Sequence, residues 1–258
     1  MLINYDLKFA EENNKNYLTD PPWPHIVIDN FFNDEILTKV HDNFPKPDQI
    51  DWHQYNNPVE KKLMFTNTDD LGVNFKKVFD QLNSQEFLNF LEKLTGIDNI
   101  LPDFNFTGGG LHQIEKGGKL DIHSDFNLLY GTNQRRALNL ILYLNKDWQE
   151  SYGGHLELWN KNMSECCSKI LPIYNRAVIF NTDEFSYHGH PEPLTCPPEM
   201  TRKSIAIYYY VENKESVPSR STKYMKRPQD PEDKELDEFR KFRSKPLPER
   251  IKILQDKE

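Results

Sequence analysis

The sequence predicts a mainly β protein, an antiparallel sandwich or barrel with helices flanking it. Three observations lead there. From about Leu101 to Val211, short runs rich in β-branched, Leu and Tyr residues follow one another, punctuated by Gly, Pro and Asn. The first hundred residues carry two helical patterns with start and stop signals. The composition is 37% apolar with 16 Phe and 12 Tyr among 258 residues, enough to build a sizeable core.

Taken in order, Asn33 caps a helix carrying Ile36, Leu37 and Val40, with Phe31 and Phe32 placed to staple its start. Asp51 to Asp70 is polar and aromatic without a clean period and reads as loop or short strand. Ser84 opens a second helix, in which Phe87, Leu88, Leu91 and Leu94 recur at helical spacing and Gly96 ends the run. The strand candidates are Leu111–Ile114, Arg136–Leu144, His155–Leu158, Lys169–Ile173, Ala177–Phe180 and Ser204–Val211. Ser216 to Glu258 is dense in charge and Pro, with one amphipathic helix expected over Asp233–Arg243, docked through Phe239 and Phe242. This organisation divides the chain into a helical and irregular region (1–104), a β core (105–212) and a charged extension (213–258).

Charge and composition exclude several classes. With 40 acidic and 32 basic side chains the net charge is -8, so a basic nucleic-acid-gripping face is not expected. No apolar run approaches the roughly 20 residues of a membrane helix, so no membrane partner is expected. Cys166, Cys167 and Cys196 are too few for a disulfide framework. The adjacent pair Cys166-Cys167 falls in a connecting loop. A cytoplasmic protein is the expectation.

Of eight histidines, His25, His41 and His53 lie in polar or turn-like contexts, and His155 fits a half-exposed strand position. His112, at a strand start in GGGLH, is a candidate substrate contact. His123 differs because Asp125 follows two residues later in GGKLDIHSDF. On a strand or its exit, such residues point to the same side, so imidazole and carboxylate can converge on one ion. In NTDEFSYHGHP, His188 closes another strand-like run. Two imidazoles and one carboxylate on one face form the facial triad of non-haem Fe(II) oxygenases, whereas a structural zinc site prefers four closed ligands. Arg202 precedes the apolar run IAIYYYV. A charge buried at the start of a core strand needs an anionic partner, and a dicarboxylate would supply one through a bidentate pair.

With those residues in place, Thr107 to Val211 resembles the prolyl-4-hydroxylase-like branch of the Fe(II)/2-oxoglutarate-dependent oxygenases. The matching stretches are GGGLHQIEKGGKLDIHSDFN, LNLILYLNKDW, YGGHLELW, NRAVIFNT, SYHGHPEP and TRKSIAIYYY, roughly 40% of the chain. The resemblance implies a double-stranded β-helix (a cupin-like jelly roll) with the N-terminal helices packed outside. It implies His123, Asp125 and His188 as iron ligands, with Arg202 on the distal carboxylate of 2-oxoglutarate and Tyr143 adding a phenol hydrogen bond. Asn139 faces the same side of its strand as Tyr143, and Ser204 offers a further hydroxyl. His190 falls in the variable position of the H-G-x-P pattern, so His188 is the ligand. Many prolyl hydroxylases have a tyrosine nine or ten residues before the first ligand; here Gln113 and Ile114 stand in that region, with Gln113 a candidate substrate contact. That departure bears on the substrate rather than on iron or cosubstrate.

The implied reaction is hydroxylation of a protein side chain such as proline, or of a small molecule. It uses Fe(II), O2 and 2-oxoglutarate, releases succinate and CO2, and is supported by ascorbate as reductant. The rival readings are a cupin-type metal enzyme that does not use 2-oxoglutarate and a non-enzymatic jelly-roll binding module.

Overall fold

The computed structural model describes residues 2–214 and 218–255. Its element order begins α1 (Leu7–Thr19), β1 (His25–Ile28), α2 (Asp34–Asp42), β2 (His53–Asn57), β3 (Glu60–Phe65), α3 (Val73–Leu82) and α4 (Gln85–Thr95). The strands β4 (Gly110–Ile114), β5 (Lys119–Ser124), β6 (Gln134–Tyr143), β7 (Leu156–Trp159), β8 (Cys166–Ile170), β9 (Ala177–Asn181), β10 (Tyr187–His190) and β11 (Arg202–Glu212) follow. β12 (Lys223–Tyr224), α5 (Lys234–Ser244) and α6 (Leu247–Gln255) complete it. The strands pair in the order β1-β9-β6-β11-β4-β3-β5-β10-β7-β8, with β2 on β3 and β12 on β5. Every ladder among the described residues is antiparallel. The sheet curls into the expected double-stranded β-helix.

The long strands β6 and β11 are buried along most of their length, and their alternation divides two compartments. Leu138, Leu140, Leu142, Ile205, Ile207 and Tyr209 join a core shared with the helices, including Leu37, Phe75, Phe87 and Leu91. Asn139, Ile141, Ser204, Ala206 and Tyr208 line a cavity on the other face. The helices therefore back one side of the sheet and leave its concave side free for chemistry.

The two expected helices form as read. Asn33 accepts from the Ile36 amide, Ser84 accepts from the Phe87 amide, and Gly96 takes a left-handed φ of 71° at the end of α4. Two others, α1 and α3, carried weaker signals. α1 buries only Ala10 and Tyr17, and α3 starts without a side-chain cap. The region before residue 105 is also less purely helical than its composition suggests, because β1 pairs with β9 and β3 bridges β4 and β5. His25 is buried at the head of β1 rather than held in a turn.

Two further expectations need correcting. Cys166 and Cys167 begin β8 and do not lie in a loop. In α5 the buried residue is Arg240, while Phe239 and Phe242 are half-buried. Three arginines of the extension are held in ion pairs. Arg227 pairs with Glu192 and Asp230, Arg240 with Asp121, Asp230 and Asp237, and Arg243 with Glu60. Charge complementarity, more than apolar packing, docks the extension. No helix among the described residues is long and apolar enough to cross a membrane.

Candidate metal and cosubstrate centre

β5 and β10 run antiparallel with His123 directly opposite His188, which brings the two rings to 4.5 Å between centroids. The close approach depends on Gly189, where a Cβ would stand 2.8 Å from the carbonyl oxygens of Leu120 and Asp121. Asp125, just beyond β5, completes the group: Nε2 of His123 is 3.5 Å from Oδ1, and Nε2 of His188 is 3.6 Å from Oδ2. Among the described residues this trio is the one His/Cys/Asp/Glu group of three or more whose ligand atoms lie close enough to hold an ion, all within 4.8 Å of one another.

The donor set fits a divalent metal. Nδ1 of His123 lies 2.8 Å from the Asp121 carbonyl oxygen and Nδ1 of His188 lies 2.9 Å from that of Ser186. A carbonyl only accepts, so each ring carries its proton on Nδ1 and turns a bare Nε2 toward the cavity. Burial, the largest influence, pushes the His188 pKa down to about 4 and keeps it neutral, which a ligand requires. For Asp125, burial alone would favour the acid. Arg136 first, and then the two imidazoles, outweigh it and hold the carboxyl well below the usual carboxylate range. Arg136 Nη1 is 3.4 Å from Asp125 Oδ1, and the Arg136 guanidinium also lies 3.1 Å from the centre of the Tyr208 ring.

His190 lines the same cavity but is not part of the ligand group. Both its ring nitrogens are buried without hydrogen-bond partners among the described residues. Its pKa is well below the ordinary histidine value because of burial, with Arg202 the next influence.

Arg202, the first residue of β11, is 4% exposed. Its Nε donates to the Gly154 carbonyl at 2.8 Å and its Nη2 to the Tyr143 hydroxyl at 3.2 Å. Gly154 has a φ of +74°, and a Cβ there would stand 2.9 Å from Arg202 Cδ, so a glycine is needed to seat the arginine. No carboxylate among the described residues pairs with Arg202. Desolvation lowers its pKa, and only the Tyr143 phenol opposes this. A buried guanidinium with two neutral partners and a face on the cavity is a receptor for an anion.

The remaining expected residues separate. Ser204 lines the cavity beside Arg202 and is paired in register with both Tyr143 and His112. Asn139 lines it too, but its Nδ2 is 3.4 Å from Asp125 Oδ2, which puts it on the Asp125 carboxylate rather than beside Arg202 and Tyr143. His112 lies on the cavity wall with Nε2 3.2 Å from the Gly108 carbonyl oxygen. Gln113 is a correction. Strand alternation turns it away from the cavity, where it donates to the Pro45 carbonyl and accepts from the Thr201 hydroxyl, both at 2.8 Å. It is a structural strap, not a substrate contact. Arg136 is the residue that sequence reading missed. It begins an apolar run, and nothing local marks it as the partner of a residue eleven positions earlier.

The cavity has a volume of about 830 Å³. Its outer wall includes Arg243, Leu247 and Arg250 from the C-terminal extension.

Comparison with known proteins bears on the family and the fold. Residues 109–210 match the model of the 2OG-Fe(II) oxygenase superfamily. The chain is 26% identical over 197 residues to prolyl 3-hydroxylase OGFOD1 of Mus musculus, a match that takes in 73% of this chain but 33% of that protein's length. Among solved structures, it is similar to a prolyl hydroxylase from Trichoplax adhaerens in complex with a hypoxia-inducible-factor peptide. The TM-score is 0.56 at 18% identity, covering 82% of this chain and 94% of that one. A prolyl-4-hydroxylase from Pseudomonas putida gives a TM-score of 0.55 at 14% identity, covering 78% and 97%. Residues 109–210 thus match the 2OG-Fe(II) oxygenase superfamily, and the fold that surrounds them is similar to that of prolyl hydroxylases.

Proposed function

We propose that the protein is an Fe(II)- and 2-oxoglutarate-dependent hydroxylase whose primary substrate is a protein side chain, a prolyl residue above all. The observation that carries the cosubstrate assignment is Arg202, a buried guanidinium without a carboxylate partner among the described residues, facing the cavity that holds His123, Asp125 and His188. A cupin enzyme without 2-oxoglutarate, or a binding module, would leave that charge without purpose. The prolyl reading is supported by the names of one curated relative and two similar structures, which are prolyl hydroxylases.

When bound, iron and 2-oxoglutarate together supply the oxidising power that places one oxygen atom of O2 in a substrate C–H bond, with release of succinate and CO2. The chain's own part is to hold and orient. His123, Asp125 and His188 would hold the metal through two imidazole nitrogens and one carboxylate. Arg202 and Tyr143 would hold the distal carboxylate of the cosubstrate and so orient it. Arg136 and Asn139 hold the Asp125 carboxylate in place.

The test is an anaerobic titration with Fe(II) and then 2-oxoglutarate, followed by succinate release in air with proline-containing peptides and ascorbate. The expected result is a visible charge-transfer band that is lost in Asp125→Ala, with peptide-stimulated succinate. Iron binding without the band would remove 2-oxoglutarate from the reading.

A further inference from the structure

The outer part of the cavity carries charge that neither the metal nor the cosubstrate uses. Glu60, at the head of β3, is a buried carboxylate 2% exposed. Arg243 Nη2 pairs with its Oε1 at 2.7 Å and Lys62 Nζ lies 3.7 Å from its Oε2. Arg250, from α6, lines the same wall, and among the described residues it has no ion pair and its Nε has no hydrogen-bond partner. Burial, and next the like charge of Arg243, lowers the Arg250 pKa. The Lys62 pKa is lowered by burial too, although Glu60 opposes this. Three cations thus gather around one carboxylate, in a chain whose net charge is -8. Two phenols border the cluster: Lys62 Nζ lies 5.0 Å from the Tyr55 ring centre and the Arg243 guanidinium 5.5 Å from that of Tyr224.

Clustered, partly desolvated cations are costly unless an anion neutralises them. The Tyr224 ring is also 5.5 Å from that of His123, so an anion here would sit close to the metal ligands. We infer that Lys62, Arg243 and Arg250 form a recognition site for a carboxylate or phosphate group carried by the primary substrate, anchoring it while its reacting carbon faces the metal. The inference rests on the hydroxylase reading. It adds that this enzyme selects an anionic substrate, and that the C-terminal extension is a specificity element.

Binding measurements separate the two. Protein loaded with Zn(II) and 2-oxoglutarate is titrated calorimetrically with inorganic phosphate, N-acetylproline and N-acetylprolinamide. Wild type is expected to bind at least one of the anions saturably and at least tenfold more tightly than the neutral amide. Preference for phosphate points to a phosphorylated substrate and preference for N-acetylproline to a carboxylate. Lys62→Gln and Arg250→Gln are each expected to weaken the anion about tenfold or more, the scale of a lost charged hydrogen bond. Arg250→Gln breaks no ion pair among the described residues, so it keeps the test sound if Lys62→Gln fails to fold. Equal binding of anion and amide, no anion binding at all, or unchanged affinity in folded Arg250→Gln would each overturn the inference. Loss of the Fe(II)–2-oxoglutarate band in wild type would instead overturn the hydroxylase reading and leave the anion data to be judged alone.

Discussion

Asp125 Oδ1 lies 3.4 Å from Nη1 of Arg136, a guanidinium whose side chain is 1% exposed. The carboxylate that would bind metal therefore has a resident countercharge before any ion arrives. Removing one partner of a buried pair costs about 3–5 kcal/mol because the other charge is left uncompensated. Arg136→Met should lower the stability of the metal-free protein by that order. A divalent ion would then take over the neutralisation, so Zn(II) should restore more of the melting temperature in the variant than in wild type. Thermal denaturation with and without Zn(II) reads both numbers, and equal metal-induced shifts would refute the pairing role.

Arg202 and Tyr143 predict a graded series. Arg202→Ala should weaken 2-oxoglutarate by about 10- to 100-fold or more, from loss of charged hydrogen bonds worth about 1.5–3 kcal/mol. Tyr143→Phe should cost about 2- to 10-fold, the range of a neutral hydrogen bond. Gly154→Ala should behave like a milder Arg202 variant, since the new methyl displaces the arginine stem. Fe(II) affinity should not change in any of the three. A loss of iron in step with 2-oxoglutarate would argue against the separation of the two sites.

The buried histidines set an acid limit. Burial pushes His188 down to about 4 and His112 to about 3, whereas both titrate near 6.5 in the unfolded chain. As pH falls below 6.5, the unfolded chain takes up protons that the folded one refuses. Stability is therefore complete above 6.5 and declines on acidification, by about 1.4 kcal/mol per pH unit for each histidine. Urea denaturation of the metal-free protein between pH 7.5 and 5 should follow this slope, and His112→Asn should flatten it. An unchanged slope in that variant would mean that His112 does not carry this share.

Arg240 holds the extension. Its Nη2 is 3.1 Å from Asp121 Oδ2, linking α5 to the strand that bears His123. Arg240→Met should release α5 and α6 for proteolysis well before the β core is cut, with metal binding retained. Simultaneous digestion of core and extension would show that the two unfold together.

Much of this architecture was legible in sequence because it is written locally. Asn33, Ser84 and Gly96 each govern the backbone within three or four residues, and β6 and β11 announce themselves by apolar runs. The His123/Asp125 pair and Arg202 could be marked from spacing and from the cost of a buried charge. What was not legible depends on partners distant in the chain. Gln113 reads as a pocket residue until Pro45 and Thr201 claim it. The partners of Arg240 and Arg243 cannot be named until the fold brings Asp121 and Glu60, more than a hundred residues earlier, beside them. Strand β1 is only four residues long, and its pairing with β9 is invisible without the fold.

Both imidazole orientations in the His123/Asp125/His188 group are fixed by carbonyl oxygens two residues earlier in the chain, Asp121 for His123 and Ser186 for His188. Carbonyls are present whatever side chain the position carries. The choice of tautomer is thus encoded in main-chain path, and no point substitution at Asp121 or Ser186 deletes the acceptor. Mutational drift around the centre can reshape the substrate pocket while the imidazoles keep presenting the same nitrogen, a division that lets one scaffold change what it modifies without relearning how to hold its metal.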